Sequence, residues 1–266
     1  MGDGDAITSP TNARYKLLKD LWTSKGIAKH GACLVGGEKL VAEALADRTR
    51  DVVAVVASGT TASGEGGEGA GLERDVEDAA AARQTPVWRL APALFREIDE
   101  SGTRRPLAVV KVAAPEAVTA LPAGPCLVLP LQSPENLGAA VRSALAFGID
   151  EIVLTTESAN PYLPRAVRGS AGAVLRARFR RTQKLAALRP DAERALVLDG
   201  GGQPLAKALA TPRAAPIWIV GVEGGGVPPE LGGLERVSIP ISSAVEPLNA
   251  AVALSIALHQ WRLSRG

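Results

Sequence analysis

"CLVLPLQSPENLGAAVRSALAFGIDEIVLT", residues 126–155, places two near-continuous apolar runs around a segment that opens with Ser133-Pro134-Glu135. Short apolar runs without polar alternation mark strands covered on both faces, as in a parallel sheet. Ser133 suits a helix N-cap and Pro134 the first helical position, where a missing N–H costs nothing. The stretch reads as strand, helix, parallel strand. The pattern continues downstream with "ALVLDG" (195–200), "PIWIVGV" (216–222), "RVSIPI" (236–241) and a final helix from about residue 247. An α/β unit with a mostly parallel sheet over 126–266 follows, and ligands of such sheets lie beyond the strands' carboxyl ends.

Upstream, "ACLV", "DVVAVVAS", "PVWRL" and "LAVVKV" alternate with helix-like "EKLVAEALAD", "LERDVEDAAAAR" and "PALFREIDES". These describe a smaller α/β domain over 1–113. "APEAVTALPAGP" (114–125) reads as a linker between the two. "GTTASGEGGEGAG" (59–71) reads as a flexible loop, because no Lys-Ser/Thr follows it to complete a phosphate cradle.

Composition narrows the function classes. The 266 residues carry 30 Lys and Arg against 28 Asp and Glu, so a nucleic-acid partner has to be argued from local clusters. Cys33 and Cys126 are the only cysteines, which excludes a disulfide scaffold or a Cys-rich zinc site and suits a reducing compartment. The polar start "MGDGDAITSPTNAR" and the lack of a membrane-length apolar run point to a soluble, cytoplasmic protein. No constellation of His, Cys and carboxylates has metal-ligand spacing, so no metal is expected.

Three strand exits of the second domain are rich in Gly, Pro and Asn. In the first, Asn136 and Arg142 stand six residues apart, roughly 600° around a helix, so a shared face is not implied by spacing. Either both turn to a cleft at the sheet's end, or the segment is a capped, solvent-facing helix. In the second, "IVGVEGGGVPPEL" (219–231), glycines follow a buried strand and Glu223 is the one charge in the turn. Such a turn is either a tight connection or a place where a ligand approaches the backbone. In the third, Ile239-Pro240-Ile241 leads through a short loop to Pro247, Leu248 and Asn249, with Pro247 suited to the helix's first turn.

Taken in order, these stretches resemble the SpoU (TrmH-like) branch of the SPOUT RNA methyltransferases. Asn136, Gly138, Arg142, Phe147 and Gly148 match its N-x-G-x-x-x-R motif and following Phe-Gly; Gly221, Glu223 and Gly226 match G-x-E-x-x-G; Ile239, Pro240, Leu248 and Asn249 match I-P-x…S-L-N. "RAVRGSAGAV" (165–174) is similar to the segment between the first two motifs, and the N-terminal region is similar to the family's L30e-like substrate-recognition domain. The resemblance implies a deep trefoil knot in the C-terminal domain and a homodimer whose active site draws on both subunits. It implies S-adenosyl-L-methionine-dependent methylation of a ribose 2′-hydroxyl in ribosomal or transfer RNA, ribosomal being favoured by the two-domain arrangement. Carried over residue by residue, Gly221, Ile239 and Leu248 hold the cofactor, while Arg142, Asn136, Glu223 and Asn249 serve the reaction. Ser133 stands where the family commonly has Asp, and Pro247 where it usually has Ser.

Between Ser158 and Pro190 there are no acidic residues but eight Lys and Arg, including Arg165 and Arg168. With Arg14 and Lys16 near the N-terminus, they are the expected phosphate contacts, the other reading of the run being a solvated or dimer-contacting basic face. The alternative is an RNA-binding protein of this family without turnover, motivated by Pro247. A dehydrogenase would need a G-x-G-x-x-G turn after its first strand, and "GVEGGG" lies near the opposite end.

Overall fold

The computed structural model describes residues 6–59, 70–99, 102–242, 244 and 246–265. Most of the glycine-rich stretch read as a flexible loop, residues 60–69, lies outside them. The chain divides into two compact units. The first runs to Ala114 and includes Tyr162–Arg168; the second holds Pro115–Pro161 and the chain from Gly169 onward.

In the first unit, α1 (Ala13–Asp20) and α2 (Ser24–His30) precede β1 (Ala32–Gly36), α3 (Glu38–Ala46), β2 (Val52–Ser58), α4 (Ala70–Ala82), β3 (Val87–Leu90), α5 (Pro92–Arg96) and β4 (Leu107–Lys111). The sheet order is β1-β4-β2-β3, with β4 antiparallel to both neighbours and β2 parallel to β3. Asn12 and Thr23 cap α1 and α2 through their side-chain oxygens, as short helices with unpartnered first-turn N–H groups require. Cys33 is buried within β1, and burial pushes its thiol up to about 12.

The second unit begins with β5 (Glu116–Ala117), inside the stretch read as a linker, followed by β6 (Cys126–Leu129), α6 (Pro134–Ala146) and β7 (Glu151–Leu154). α7 (Pro164–Gly169) falls almost wholly in the segment that groups with the first unit. Then come β8 (Arg178–Arg181), β9 (Ala195–Pro204), α8 (Leu205–Ala208), β10 (Ile217–Val220), β11 (Glu235–Ser238) and α9 (Ala250–Leu263). The seven strands are parallel throughout, ordered β11-β9-β10-β6-β7-β8-β5. Every residue of β6 and β10 is buried, which accounts for their unbroken apolar character. Cys126 is among them, and burial pushes its thiol up to about 12.

The order fixes where a ligand can sit. From β6 the chain builds outward to β7 and β8, then returns to lay β9 and β10 on β6's other side. β6 and β10 are therefore neighbours whose following segments diverge, leaving a crevice at their carboxyl ends. α9 packs against α6, and Ser143 and Ser255 share a hydroxyl hydrogen bond of 2.7 Å across that contact. Trp218 of β10 meets Trp261 of α9 edge to face at 6.4 Å, tying this helix to the sheet.

α9 starts later than Pro247 implied. Asn249 is its N-cap, its Oδ1 accepting from the N–H of Ala251 at 2.9 Å, so Pro247 lies before the helix and not in its first turn. A side-chain acceptor for the orphan N–H groups outweighed the preference of Pro for the first helical position. Among the described residues no helix is long and apolar enough to cross a membrane, and no three His, Cys, Asp or Glu converge as metal ligands do.

Candidate active site

The crevice is built from two helix starts and one turn. After β6, Ser133 caps α6, its hydroxyl accepting from the N–H of Asn136 at 3.2 Å. The preceding backbone leaves the N–H groups of Gln132 and Ser133 pointing outward. Glu223, arriving from the neighbouring end of β10, accepts both on Oε2, at 2.9 and 2.7 Å. A carboxylate at a helix N-terminus is favoured by the helix dipole and by the charge-assisted bonds it receives.

Glu223 Oε1 accepts a third hydrogen bond from Asn136 Nδ2, at 2.6 Å. This settles the direction of the Asn136 amide, because an ionised carboxylate can only accept. Asn136 Oδ1 is thereby turned toward Asn249, whose Nδ2 donates to it at 3.0 Å. The Oδ1 of Asn249 is occupied by capping α9. One hydrogen-bonded chain thus joins α6, the turn after β10 and the start of α9, with each polar atom assigned a role.

The turn after β10 needs its glycines. The N–H of Val222 donates to the Gly226 carbonyl, and the N–H of Gly226 to the Val222 carbonyl, both at 2.7 Å. The turn folds so tightly that a Cβ on Gly221 would lie 2.7 Å from the carbonyl carbon of Gly226. A cavity of about 830 Å³ opens beside it, within the size range of small-molecule sites. Asn136, Gly221, Glu223, Ile239, Leu248 and Asn249 all line it. Pro247 lines it as well.

Arg142 does not. It stands exposed on α6, well around the helix from Asn136, and meets no partner among the described residues. Two lining residues with polar side chains escaped the sequence reading, Asp199 and Ser242. Asp199 had a signal: it precedes Gly200-Gly201-Gly202 after an apolar strand, the same pattern as the turn bearing Glu223, but was read only as the end of a strand.

The basic run from 158 to 190 is not one free surface. Arg178 pairs with Asp150 and Glu151, and Arg180 with Glu151 and Glu116. Arg181 donates to the Thr155 carbonyl, and burial lowers its pKa from the ordinary arginine value. Arg189 donates to the carbonyls of Ala186 and Leu188. Arg165 and Arg168 are exposed on α7 and group with the first unit, which also carries exposed Arg14 and Lys16 on α1. Arg14 stacks over Trp88, its guanidinium carbon 5.4 Å from the ring centroid. In the same unit Arg105 is paired with Glu38, Lys19 with Glu97, and Lys29 and His30 with Asp20. His259 lies edge-on to Phe147 at 5.9 Å.

The model of the SpoU rRNA Methylase family matches residues 126–259, half of the chain and nearly all of the seven-stranded unit. The "Ribosomal RNA small subunit methyltransferase G 2" of Syntrophobacter fumaroxidans is 38% identical over 261 residues, covering 97% of this chain and 49% of that protein. The chain spans about half the length of several curated relatives that it matches. The Bacillus subtilis 23S rRNA (guanosine(2553)-2′-O)-methyltransferase RlmP is 28% identical over 264 residues, covering 96% of this chain and 98% of that one. The AdoMet-bound rRNA methyltransferase from Sinorhizobium meliloti matches with a TM-score of 0.74 and 20% identity over 97% of both chains, a likeness of fold.

Proposed function

Since the chain belongs to the SpoU rRNA Methylase family, we propose that it transfers a methyl group from S-adenosylmethionine to a ribose 2′-hydroxyl of ribosomal RNA. The observation that carries this reading is the hydrogen-bonded chain Asn249–Asn136–Glu223 on the wall of a cavity at the switch between β6 and β10. It joins residues from all three motifs and leaves them oriented toward one space.

The cavity fits the cofactor in size and charge. Its charged lining residues are Asp199 and Glu223, with no Lys or Arg among the described ones, which suits a cationic sulfonium better than a phosphate. When bound, S-adenosylmethionine supplies a methyl group on a positive sulfur that departs as a neutral thioether. The main chain at Gly221, Ile239 and Leu248, all on the cavity wall, would hold it. Asn136 and Asn249 orient the reacting ribose, and Glu223 holds Asn136 in register. Positioning of this kind does most of the work in an in-line displacement, where a small misplacement costs about a hundredfold in rate.

Arg142 serves the site of a second copy in a homodimer, in keeping with its exposed position away from its own chain's cavity. Its guanidinium orients and polarises the 2′-hydroxyl by donating to the oxygen, while a phosphate or water takes the hydroxyl proton as the O–CH3 bond forms. Arg14, Lys16, Arg165 and Arg168 hold RNA phosphates. Pro247 keeps a carbonyl at the cavity wall but brings no hydroxyl, so orientation of the ribose rests on the two asparagines.

The test is transfer of radiolabelled methyl groups into ribosomal RNA, followed by nucleoside analysis. A 2′-O-methylated nucleoside is expected, and Arg142→Ala abolishes its formation. A label found on a base keeps the chain an rRNA methylase and sinks the ribose assignment.

A further inference from the structure

Asp199 sits where the seven-stranded sheet loses register. β11 pairs with β9 at Glu235–Leu196 and Arg236–Val197, then resumes at Val237–Gln203, so residues 198–202 have no partner on β11, while Leu198 still pairs with Val220 of β10. The excursion is pressed onto β11. A Cβ on Gly202 would fall 2.5 Å from the Arg236 carbonyl carbon, and Ser238 Oγ donates to the Gly202 carbonyl at 2.8 Å. Leu198, Asp199 and Gly200 are thereby pushed into the cavity wall.

The Asp199 carboxylate is held at both oxygens. Oδ1 accepts from the N–H of Gly201 at 2.9 Å, and Oδ2 is paired with the Arg236 guanidinium. A carboxylate offers about four acceptor sites, so each oxygen keeps one for a ligand. Glu223, the other charge on the wall, already takes three donors from the protein. Asp199 also stands apart from the asparagines. β10 lies between β9 and β6, which separates their ends by two strand spacings, roughly 10 Å.

We infer that Asp199 recognises the vicinal 2′- and 3′-hydroxyls of the methyl donor's nucleoside, with Arg236 as its positioning residue; this rests on the methyltransferase reading above. The donor then spans the cavity, its sulfonium toward Asn136 and Asn249 and its ribose over β9. Two adjacent O–H groups match a fixed carboxylate with one free site on each oxygen. A ligand without them leaves the carboxylate's two remaining acceptor sites desolvated and unfilled, the kind of mismatch that polar sites reject most strongly.

Calorimetric titration of the full chain with S-adenosylhomocysteine and with its 2′,3′-dideoxy form tests this. The native protein is expected to bind the parent compound at least about tenfold more tightly than the dideoxy form. Asp199→Ala binds the two alike, and Asp199→Asn, which keeps the side chain's size, retains only part of the preference. If Asp199 only shapes the loop, substitution weakens both ligands by one factor, and an unchanged ratio in either variant overturns the inference. A native protein that binds neither compound overturns the methyltransferase reading, and this inference with it.

Discussion

The seven-stranded sheet is finished in opposite ways on the two sides of β6. On the β7-β8-β5 side, charge is dense and cancels within the sheet: Arg180 lies between Glu151 and Glu116, and Arg178 between Asp150 and Glu151. On the β10-β9-β11 side Asp199 is likewise paired with Arg236 and Glu235 with Arg213, but the strands run out into glycine turns, leaving backbone and two carboxylates facing an open cavity. Density of charge along a chain therefore does not locate chemistry. The cations of β8 are taken up by carboxylates of their own side, while the other side holds the three-residue chain that can orient a substrate.

The strongest test of that contrast is Glu223→Ala. It leaves two backbone N–H groups and the Asn136 amide without their acceptor, and kcat is expected to fall about a hundredfold or more. Activity within twofold of native would break the contrast. Next, mixing Arg142→Ala with Asn249→Ala restores one intact site per mixed dimer, about a quarter of native turnover from two inactive proteins. No recovery in the mixture would place Arg142 in its own chain's site. Gly221→Ala forces a methyl group against Gly226, so thermal unfolding should show a loss of about 1–3 kcal/mol.

On the charge-dense side, Arg180→Gln is expected to cost about 1 kcal/mol of stability and to leave RNA affinity and its salt dependence unchanged. A shallower salt slope would show that Arg180 meets phosphate after all. The smallest effect belongs to the first unit. Hydrogen bonds from His30 and Lys29 lower the Asp20 pKa, and those from Tyr15 and Lys19 lower that of Glu97. A depressed carboxyl pKa stabilises the fold above its unfolded value, near 4, and that contribution disappears as pH falls through the folded value. Melting temperature should therefore decline less below pH 4 in Asp20→Asn than in the native chain.

Much of this was legible before the structure. Uninterrupted apolar runs at 126–129 and 217–220 announced the parallel core, because strands covered on both faces have no polar side. Asn136, Glu223 and Asn249 were legible as motif members, and the structure joins them in one hydrogen-bond chain. β8 was hidden because Phe179 is its one buried side chain among arginines, so its periodicity is overwhelmed by charge. Asp199 was hidden because its role follows from a register break against β11, a partner more than 30 residues onward. The outward direction of Arg142 is a matter of helix phase, which six-residue spacing allowed but could not select.

Asn249 carries a consequence for folding. One of its side-chain atoms starts α9 and another closes the chain to Asn136, so a single residue couples helix initiation to completion of the site. A chain without α9 has the β6 and β10 turns but no Asn249 fixed as the helix cap to complete them. The hydrogen-bonded chain is therefore complete only once α9 has formed and docked on α6.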